Sequence, residues 1–249
     1  MAGEIKPPIG LLLEFPNCPK CAYLQSGPPQ VCLSCARKSF SNIPDTACPV
    51  CSQKMENGLC RNQLCKDAKR YIQKIQAIAY YSGELKELIP RYKYKHKSGW
   101  SLIFGRLLVA WLNENLENDK PDIIIANPTY SQDDKLPNHT ELVIDVACKE
   151  DVYDKWPFDI QQPRALIKTG HTPQSAGNRA ATKREAAEAL KNVLEIPDPS
   201  RIKDCYVLVY DDICTTGSQL DVVAEYLIVN GQAKRVAGIV LARTPWDRN

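Results

Sequence analysis

The chain has no long hydrophobic run and very little net charge, and these two absences exclude broad classes of protein. None of its apolar stretches approaches the ~20 residues that a helix needs to cross a bilayer. The formal net charge is only +3, so the chain as a whole does not have the charge of a polyanion-binding protein. The apolar stretch that begins at Ile9 is short and contains Glu14, which is not typical of a secretory signal peptide. We therefore expect a cytoplasmic protein without a membrane span.

Cysteine, by contrast, is abundant near the N-terminus, where eight of the eleven cysteines lie within residues 18–65. Repeated Cys-x-x-Cys pairs are typical of zinc sites with four thiolate ligands. The alternative is a disulfide framework in a secreted protein, which the absence of an export signal disfavours. Eight thiolates suit two closed structural Zn²⁺ sites, whose binding would supply the folding energy of this segment. The predicted ligands are Cys18, Cys21, Cys32, Cys35, Cys48, Cys51, Cys60 and Cys65.

Two pairings of these ligands remain open. In a sequential arrangement Cys18, Cys21, Cys32 and Cys35 bind one ion and the other four bind the second, whereas a cross-braced arrangement interleaves them. Length and composition allow one medium domain and one small domain. We expect a zinc-binding module over residues 1–65, a surface through which protein partners can dock, and a larger domain over residues 66–249.

The most informative motif follows an apolar run at residues 207–210, which predicts a buried strand of a parallel sheet. Two adjacent carboxylates, Asp211 and Asp212, come next, and Ile213 and Cys214 lead into the turn Thr215-Thr216-Gly217-Ser218. Amide groups at the start of the following helix can bind a phosphate. The carboxylates can accept hydrogen bonds from ribose hydroxyls, and Gly217 allows close approach of the backbone. This pattern favours a sugar-phosphate site.

Strands alternate with helices along the rest of the chain, which predicts an α/β fold with a parallel sheet flanked by helices. Ligands of such sheets bind at the carboxyl ends of the strands. A second such end is Asn127-Pro128-Thr129, after an Ile-rich strand. Predicted strands cover residues 76–81, 122–126, 165–168, 206–210 and 236–242. Predicted helices cover residues 82–90 (with Pro90 ending the helix), 98–117, 138–146, 178–194 and 216–230, and a connector at residues 66–75 is a further helix candidate.

A basic run is the strongest nucleic-acid signal in the chain. It comprises Arg91, Tyr92, Lys93, Tyr94, Lys95 and Lys97. Its cations can neutralise phosphates and its tyrosines can stack on single-stranded bases. Two alternatives are a solvated helix end with tyrosines packed on the sheet, and contact with ligand phosphates. Arg164, Lys168 and His171 are further candidate cations for a phosphate ligand.

The order of these motifs resembles the ComF family of phosphoribosyltransferase-like proteins, which are associated with competence and DNA uptake in bacteria. The residues that carry the resemblance are the cysteine knuckles, Tyr80-Tyr81 with the Leu88-to-Tyr94 segment, and the Asp211-to-Gly217 motif, itself similar to the signature of type I phosphoribosyltransferases. The family's Arg-rich segment after the first strand has no counterpart here, where Asp133 and Asp134 precede Asn138.

The resemblance implies a type I phosphoribosyltransferase-like fold and a ligand, 5-phosphoribosyl 1-pyrophosphate (PRPP), bound with Mg²⁺. Asp211 and Asp212 would hold the ribose hydroxyls as the catalytic pair, residues 213–218 would bind the 5′-phosphate, and residues 127–129 would bind the pyrophosphate. Two functions follow from this: transfer of phosphoribosyl to an unknown acceptor, or PRPP sensing by a non-catalytic adaptor that binds single-stranded DNA. Many sheets of this kind form oligomers, so an oligomer is a further expectation.

Overall fold

A computed structural model describes residues 40–83, 85–94, 100–130, 138–172 and 187–246 of the chain. Its main sheet has four parallel strands in these ranges, in the order β1-β6-β5-β2. They are β1 (Ile72–Tyr80), β2 (Ile123–Ala126), β5 (Tyr206–Cys214) and β6 (Arg235–Arg243). Because β5 and β6 are covered on both sides, their sequences are almost continuously apolar rather than alternating.

Helices cover both faces of this sheet, which confirms the predicted α/β architecture. The described helices are α1 (Gln63–Lys66), α2 (Leu85–Tyr94), α3 (Trp100–Asn115), α4 (His139–Glu150) and α5 (Ser218–Val229). One apolar cluster joins α2, α3 and α4 to side chains such as Leu208 and Ile239. The other joins α5 and a 3₁₀-helix at Ala189–Val193 to side chains such as Val209 and Val240. The sheet therefore divides the core into two layers.

Smaller elements complete the described chain. A two-stranded antiparallel ribbon pairs β3 (Ile167–Lys168) with β4 (Leu194–Glu195), and a second 3₁₀-helix covers Pro199–Arg201. Within the described ranges, none of the helices combines the length and the apolar character that crossing a membrane requires.

The cysteine-containing segment lies along the edge strand β1. Asn42 forms an antiparallel bridge with Ala79, and the amide of Ile75 donates to the carbonyl of Val50 at 2.7 Å. Ser52 Oγ donates to the carbonyl of Ile75 at 3.1 Å. The segment therefore satisfies polar backbone groups that an edge strand would otherwise expose.

Two details of the sequence-based prediction are wrong. Pro90 lies inside α2 rather than at its end. The buried side chains of Leu88, Ile89 and Tyr92 continue one face of the helix across Pro90. Proline has no amide to donate to the carbonyl of Lys86, and Tyr81 Oη donates to that carbonyl instead, at 3.5 Å.

The connector at residues 66–75 is not helical beyond Lys66, because β1 already begins at Ile72. Three of the four main strands, β1, β5 and β6, are longer than predicted, and β5 includes both carboxylates of the motif. Most of the predicted helix at residues 178–194 lies outside the described residues.

Candidate functional site

A tight turn joins β5 to α5 and depends on Gly217. Its φ of +87° is in the left-handed region that favours glycine. A Cβ at this position would lie 2.7 Å from Ile75 Cδ1 and 2.7 Å from Leu64 Cδ2, both shorter than van der Waals contact. The backbone conformation therefore favours glycine here, and a Cβ would also have to displace the terminal methyl groups of two packed side chains.

The turn forms one wall of a solvent-open pocket at the N-terminus of α5. Ser218 N donates to Thr216 Oγ1 at 3.3 Å, and the two hydroxyl oxygens are 3.0 Å apart. The first amide groups of a helix have no acceptor within that helix and carry the positive end of its dipole. The pocket is lined by Thr172, Ala187, Leu190, Asp211 and residues 213–220. This arrangement suits an anionic group.

Asp211 lines this pocket and is only 9% exposed. The register of β2 against β5 pairs Ala126 with Tyr210, so the next residues of the two segments, Asn127 and Asp211, lie beside each other. Asn127 Nδ2 donates to Asp211 Oδ2 at 2.9 Å. Burial, and then the neighbouring charge of Asp212, raise the pKa of Asp211 to about 7. This carboxyl can therefore hold or release a proton near neutral pH.

Asp212 is also buried, but a lysine and a histidine lie beside its carboxylate. Lys93 Nζ from α2 lies 2.6 Å from Asp212 Oδ2, and His139 Nε2 from α4 lies 3.0 Å from the same oxygen. Burial alone would raise the pKa of Asp212, but these two neighbours outweigh it and hold the pKa well below its ordinary value. The two adjacent carboxylates therefore have opposite tendencies to ionise.

A four-cysteine cluster lies close to this turn. The sulfur atoms of Cys48, Cys51, Cys60 and Cys65 all lie within 4.8 Å of one another. Two of the pairs, Cys48–Cys65 and Cys51–Cys60, are 3.7 Å apart. A tetrahedral zinc ion with Zn–S bonds of ~2.3 Å requires sulfur–sulfur edges of about 3.8 Å. The cluster can therefore hold a structural zinc ion with no open coordination position.

Local turns bring these four ligands together. The amide of Ser52, at a φ of +54°, donates to the carbonyl of Cys48 at 2.8 Å, which forms the first knuckle. Asn57 and Gly58, also at positive φ, form the turn before Cys60. Asn62 Oδ1 accepts from the amide of Leu64 and so caps the short helix that carries Cys65.

Arg243, at the end of β6, connects this cluster to the turn. Its side chain is fully buried. Nη1 donates to the carbonyl of Thr215 and to Cys214 Sγ, the latter at 2.9 Å, and Nη2 lies 3.8 Å from Cys51 Sγ. Burial alone would raise the pKa of the Cys51 thiol, but Arg243 and hydrogen bonds from neighbouring groups outweigh it and lower that pKa. The guanidinium thus favours a thiolate at Cys51.

The structure brings several of the predicted site residues together. Asn127 lies beside Asp211, and Pro128 and Thr129 follow at the same edge of the sheet. Residues 211 and 213–218 all line the pocket, while Asp212 lies beside it. The four cysteines that form the cluster are the four that a sequential pairing assigns to one ion. Cys18, Cys21, Cys32 and Cys35 lie outside the described residues.

The basic run divides into residues with different environments. Tyr92 is buried, packs edge-on against Phe104 and donates to the carbonyl of His139 at 2.5 Å. Arg91 pairs with Glu87 at 3.3 Å, and Lys93 pairs with Asp212. Tyr94 ends α2, and Lys95 and Lys97 lie outside the described residues. Tyr92 therefore belongs to the core and Lys93 to the surroundings of Asp212, whereas Arg91 is exposed.

The three other candidate cations also have protein partners. Arg164 pairs with Asp145 at 2.6 Å, and His171 packs edge-on against Tyr130. Lys168 Nζ lies 2.7 Å from the hydroxyl of Thr172, which lines the pocket. Lys168 therefore contacts a residue that lines the pocket.

Sequence reasoning missed three residues of the site: His139, Asn62 and Arg243. Only Arg243 had a usable signal, because it is the single charged residue at the carboxyl end of the otherwise apolar run Val236–Ala242. His139 and Asn62 act through contacts that no local pattern reveals.

In comparisons with known proteins, no family model and no curated protein matches the chain.

Proposed function

We propose that this chain is a phosphoribosyltransferase-like protein that binds PRPP with Mg²⁺ at the β5–α5 turn. The observation that carries the proposal is the Gly217 turn at the N-terminus of α5, directly after two buried carboxylates at the end of a parallel strand. A helix N-terminus recognises phosphate, and carboxylates recognise vicinal hydroxyls. A sugar phosphate carries both a phosphate and vicinal hydroxyls, so it can use both features of this site.

The residues of the pocket support distinct roles for parts of that ligand. Thr215, Thr216 and Ser218 would bind the 5′-phosphate through amides and hydroxyls. Asp211 and Asp212 would accept hydrogen bonds from the ribose hydroxyls, and residues 127–129 would lie against the pyrophosphate. Mg²⁺ would bind mainly through PRPP oxygens and water, because it retains much of its hydration shell.

In the reaction we propose, the C1–oxygen bond to pyrophosphate breaks and the pyrophosphate leaves with the bonding electrons. A lone pair of the acceptor forms the new bond to C1, and the acceptor loses its proton to a base. Residues of the pocket would mainly position the sugar and stabilise charge. Asp211, whose pKa is raised to about 7, is the carboxyl best suited to take up that proton.

The experiment is a calorimetric titration of the zinc-loaded protein with PRPP and Mg²⁺, followed by an assay for pyrophosphate release. We expect one PRPP site per chain and weaker binding in Asp211→Asn and Asp212→Asn. Asp45→Asn, which changes an exposed carboxylate outside the pocket, is the control and should bind like the wild type. Wild-type affinity in the double variant D211N/D212N would overturn the site assignment.

A non-catalytic PRPP-sensing adaptor that binds single-stranded DNA is the second candidate. It is favoured by the acidic residues Asp133 and Asp134, which follow β2 where the resembling family has arginines for pyrophosphate. This candidate predicts PRPP binding without turnover. It also predicts salt-sensitive DNA binding that Lys95→Glu with Lys97→Glu abolishes. Lys93 is left intact in that test because it pairs with Asp212. Unchanged DNA affinity at equal salt would exclude Lys95 and Lys97 as the contact.

The cysteine cluster would serve this function as a structural support. Four thiolates close the coordination sphere of Zn²⁺ and leave no position for a substrate. We infer a second site of the same kind from Cys18, Cys21, Cys32 and Cys35, together with a cytoplasmic location in which thiols stay reduced.

A further inference from the structure

We propose that Arg243 is a positioning residue through which the four-cysteine metal site fixes the geometry of the anion-binding turn at residues 215–217. Its guanidinium contacts both sides of that connection, namely Cys51 Sγ of the cluster and the carbonyl of Thr215 in the turn. Only the PRPP titration of this inference rests on the proposed function, because the contacts of Arg243 are all with residues of this chain.

Arg243 carries a positive charge that is completely buried. Arg243 is 0% exposed, and in the ranges that the structure describes no carboxylate pairs with it. A buried guanidinium without a counter-charge is strongly unfavourable. A zinc ion held by four thiolates carries a formal charge of −2, so the loaded cluster supplies the missing anion. Arg243 and the loaded cluster therefore stabilise each other.

The guanidinium of Arg243 also has a fixed geometry. The guanidinium is a rigid planar fork, so its contacts with Cys51, Cys214 and Thr215 cannot vary independently. Hydrogen bonds to a metal-bound sulfur orient the ligand and tune the metal. A displacement of Cys51 would therefore move the carbonyl of Thr215, and with it the turn.

A second set of contacts, independent of Arg243, joins the cysteine-containing segment to the turn and to the residue that follows Arg243. Asn62 lies between two of the cysteine ligands, is 1% exposed, and donates to the carbonyl of Thr216 at 2.9 Å. Leu64, one residue before Cys65, packs where a Cβ on Gly217 would lie. Gln53, two residues after Cys51, donates to the carbonyl of Thr244 at 3.1 Å. The cysteine-containing segment thus contacts Thr216 and Gly217 directly, reaches Thr215 through Arg243, and holds Thr244 beside Arg243.

The consequence is that the metal would order the turn before a ligand arrives. A turn that is already ordered binds a ligand more tightly, because no conformational entropy of the turn is lost on binding. Metal loading and ligand affinity would then be coupled, although the metal touches no ligand atom.

The test measures amide hydrogen exchange in the full-length, zinc-loaded protein over residues 214–218. We expect faster exchange in Arg243→Met and Arg243→Lys than in the wild type. Lysine keeps the buried charge and so protects folding and metal content, but one ammonium cannot span Thr215 and Cys51. Arg235→Met is the matched control, because Arg235 begins the same strand and pairs with Asp119 far from the turn. Wild-type exchange in both R243M and R243K would overturn the proposal.

A spectroscopic readout separates positioning from general destabilisation. In the cobalt-substituted protein, loss of a hydrogen bond to Cys51 sulfur should shift the thiolate-to-cobalt charge-transfer band to lower energy in R243M and not in R235M. Identical bands in R243M and the wild type would contradict the contact.

PRPP titration then separates this inference from the proposed function. We expect affinity for PRPP to fall about tenfold in R243K, the scale of one lost positioning hydrogen bond. Equal PRPP affinity of R243K and the wild type overturns the coupling and leaves the proposed function intact. No PRPP binding by the wild type, with exchange in the turn still dependent on Arg243, overturns the proposed function and supports the coupling.

Discussion

Gly217→Ala is the substitution that tests the turn most sharply, because two separate penalties act at this position. A non-glycine residue in the left-handed region costs about 1–2 kcal/mol. The new Cβ would also lie 2.7 Å from both Ile75 Cδ1 and Leu64 Cδ2. Overpacking of a buried contact costs about 1–3 kcal/mol. We therefore expect G217A to lower the free energy of unfolding by about 2–5 kcal/mol, a large part of the stability of an ordinary domain.

Gly83→Ala supplies the matched control. Gly83 lies between β1 and α2 at a φ of +52°, and a Cβ there would have no atom within 4 Å. It should show only the backbone penalty of about 1–2 kcal/mol. The difference between the two variants, about 1–3 kcal/mol, then measures the packing of the turn against Leu64 of the cysteine-containing segment and Ile75 of β1.

The assay is urea denaturation of the zinc-loaded variants, together with PRPP titration of each folded protein. G217A should lose PRPP binding as well as stability, because the turn must move away from Leu64, whereas G83A should bind like the wild type. If G217A were no less stable than G83A and bound PRPP normally, the description of the turn as a tightly packed anion site would be refuted.

Three further predictions concern the carboxylates and the metal. The pKa of Asp211 is raised to about 7, so the folded state keeps a proton that the unfolded state loses near pH 4, and stability falls as the pH rises between these values. The stability of D211N relative to the wild type, measured by urea denaturation, should therefore increase with pH, and a pH-independent difference would contradict this. Asp212→Asn removes the carboxylate that pairs with Lys93 and should lower the free energy of unfolding by about 1–3 kcal/mol. This is less than for a fully buried pair, because Lys93 is partly exposed. Wild-type stability of D212N would show that the ion pair contributes nothing. Cys51→Ser should lose one equivalent of zinc by elemental analysis, whereas Cys148→Ser, outside the cluster, should retain it; equal zinc content would exclude the cluster as a metal site.

The architecture was largely predictable because it depends on local signals. The apolar runs of β2, β5 and β6 are long enough to identify buried parallel strands without any knowledge of their neighbours. The Cys-x-x-Cys pair Cys48–Cys51, with Cys60 and Cys65 following it in the sequence, likewise predicted the four ligands that the structure brings together. Pro90 was misjudged because a rule about local backbone chemistry was outweighed by packing on both sides of it.

The electrostatics of the site were not predictable, because they arise between distant segments. Lys93 and His139 reach Asp212 from α2 and α4, and neither position differs in pattern from an ordinary helix residue. Tyr92 shows the same limit: in the sequence it belongs to a basic run, whereas in the fold it continues the buried face of Leu88 and Ile89. Arg243 joins Cys51 and Thr215 across 192 and 28 positions of the chain, which only the fold brings together.

A crystal structure of the zinc-loaded protein with PRPP and Mg²⁺ tests the central claim most directly. The account predicts the 5′-phosphate against the amides of residues 215–218 at the N-terminus of α5, with the ribose hydroxyls at Asp211 and Asp212. Ordered PRPP bound elsewhere on the chain, with the turn at Gly217 unchanged and free of ligand, would contradict it.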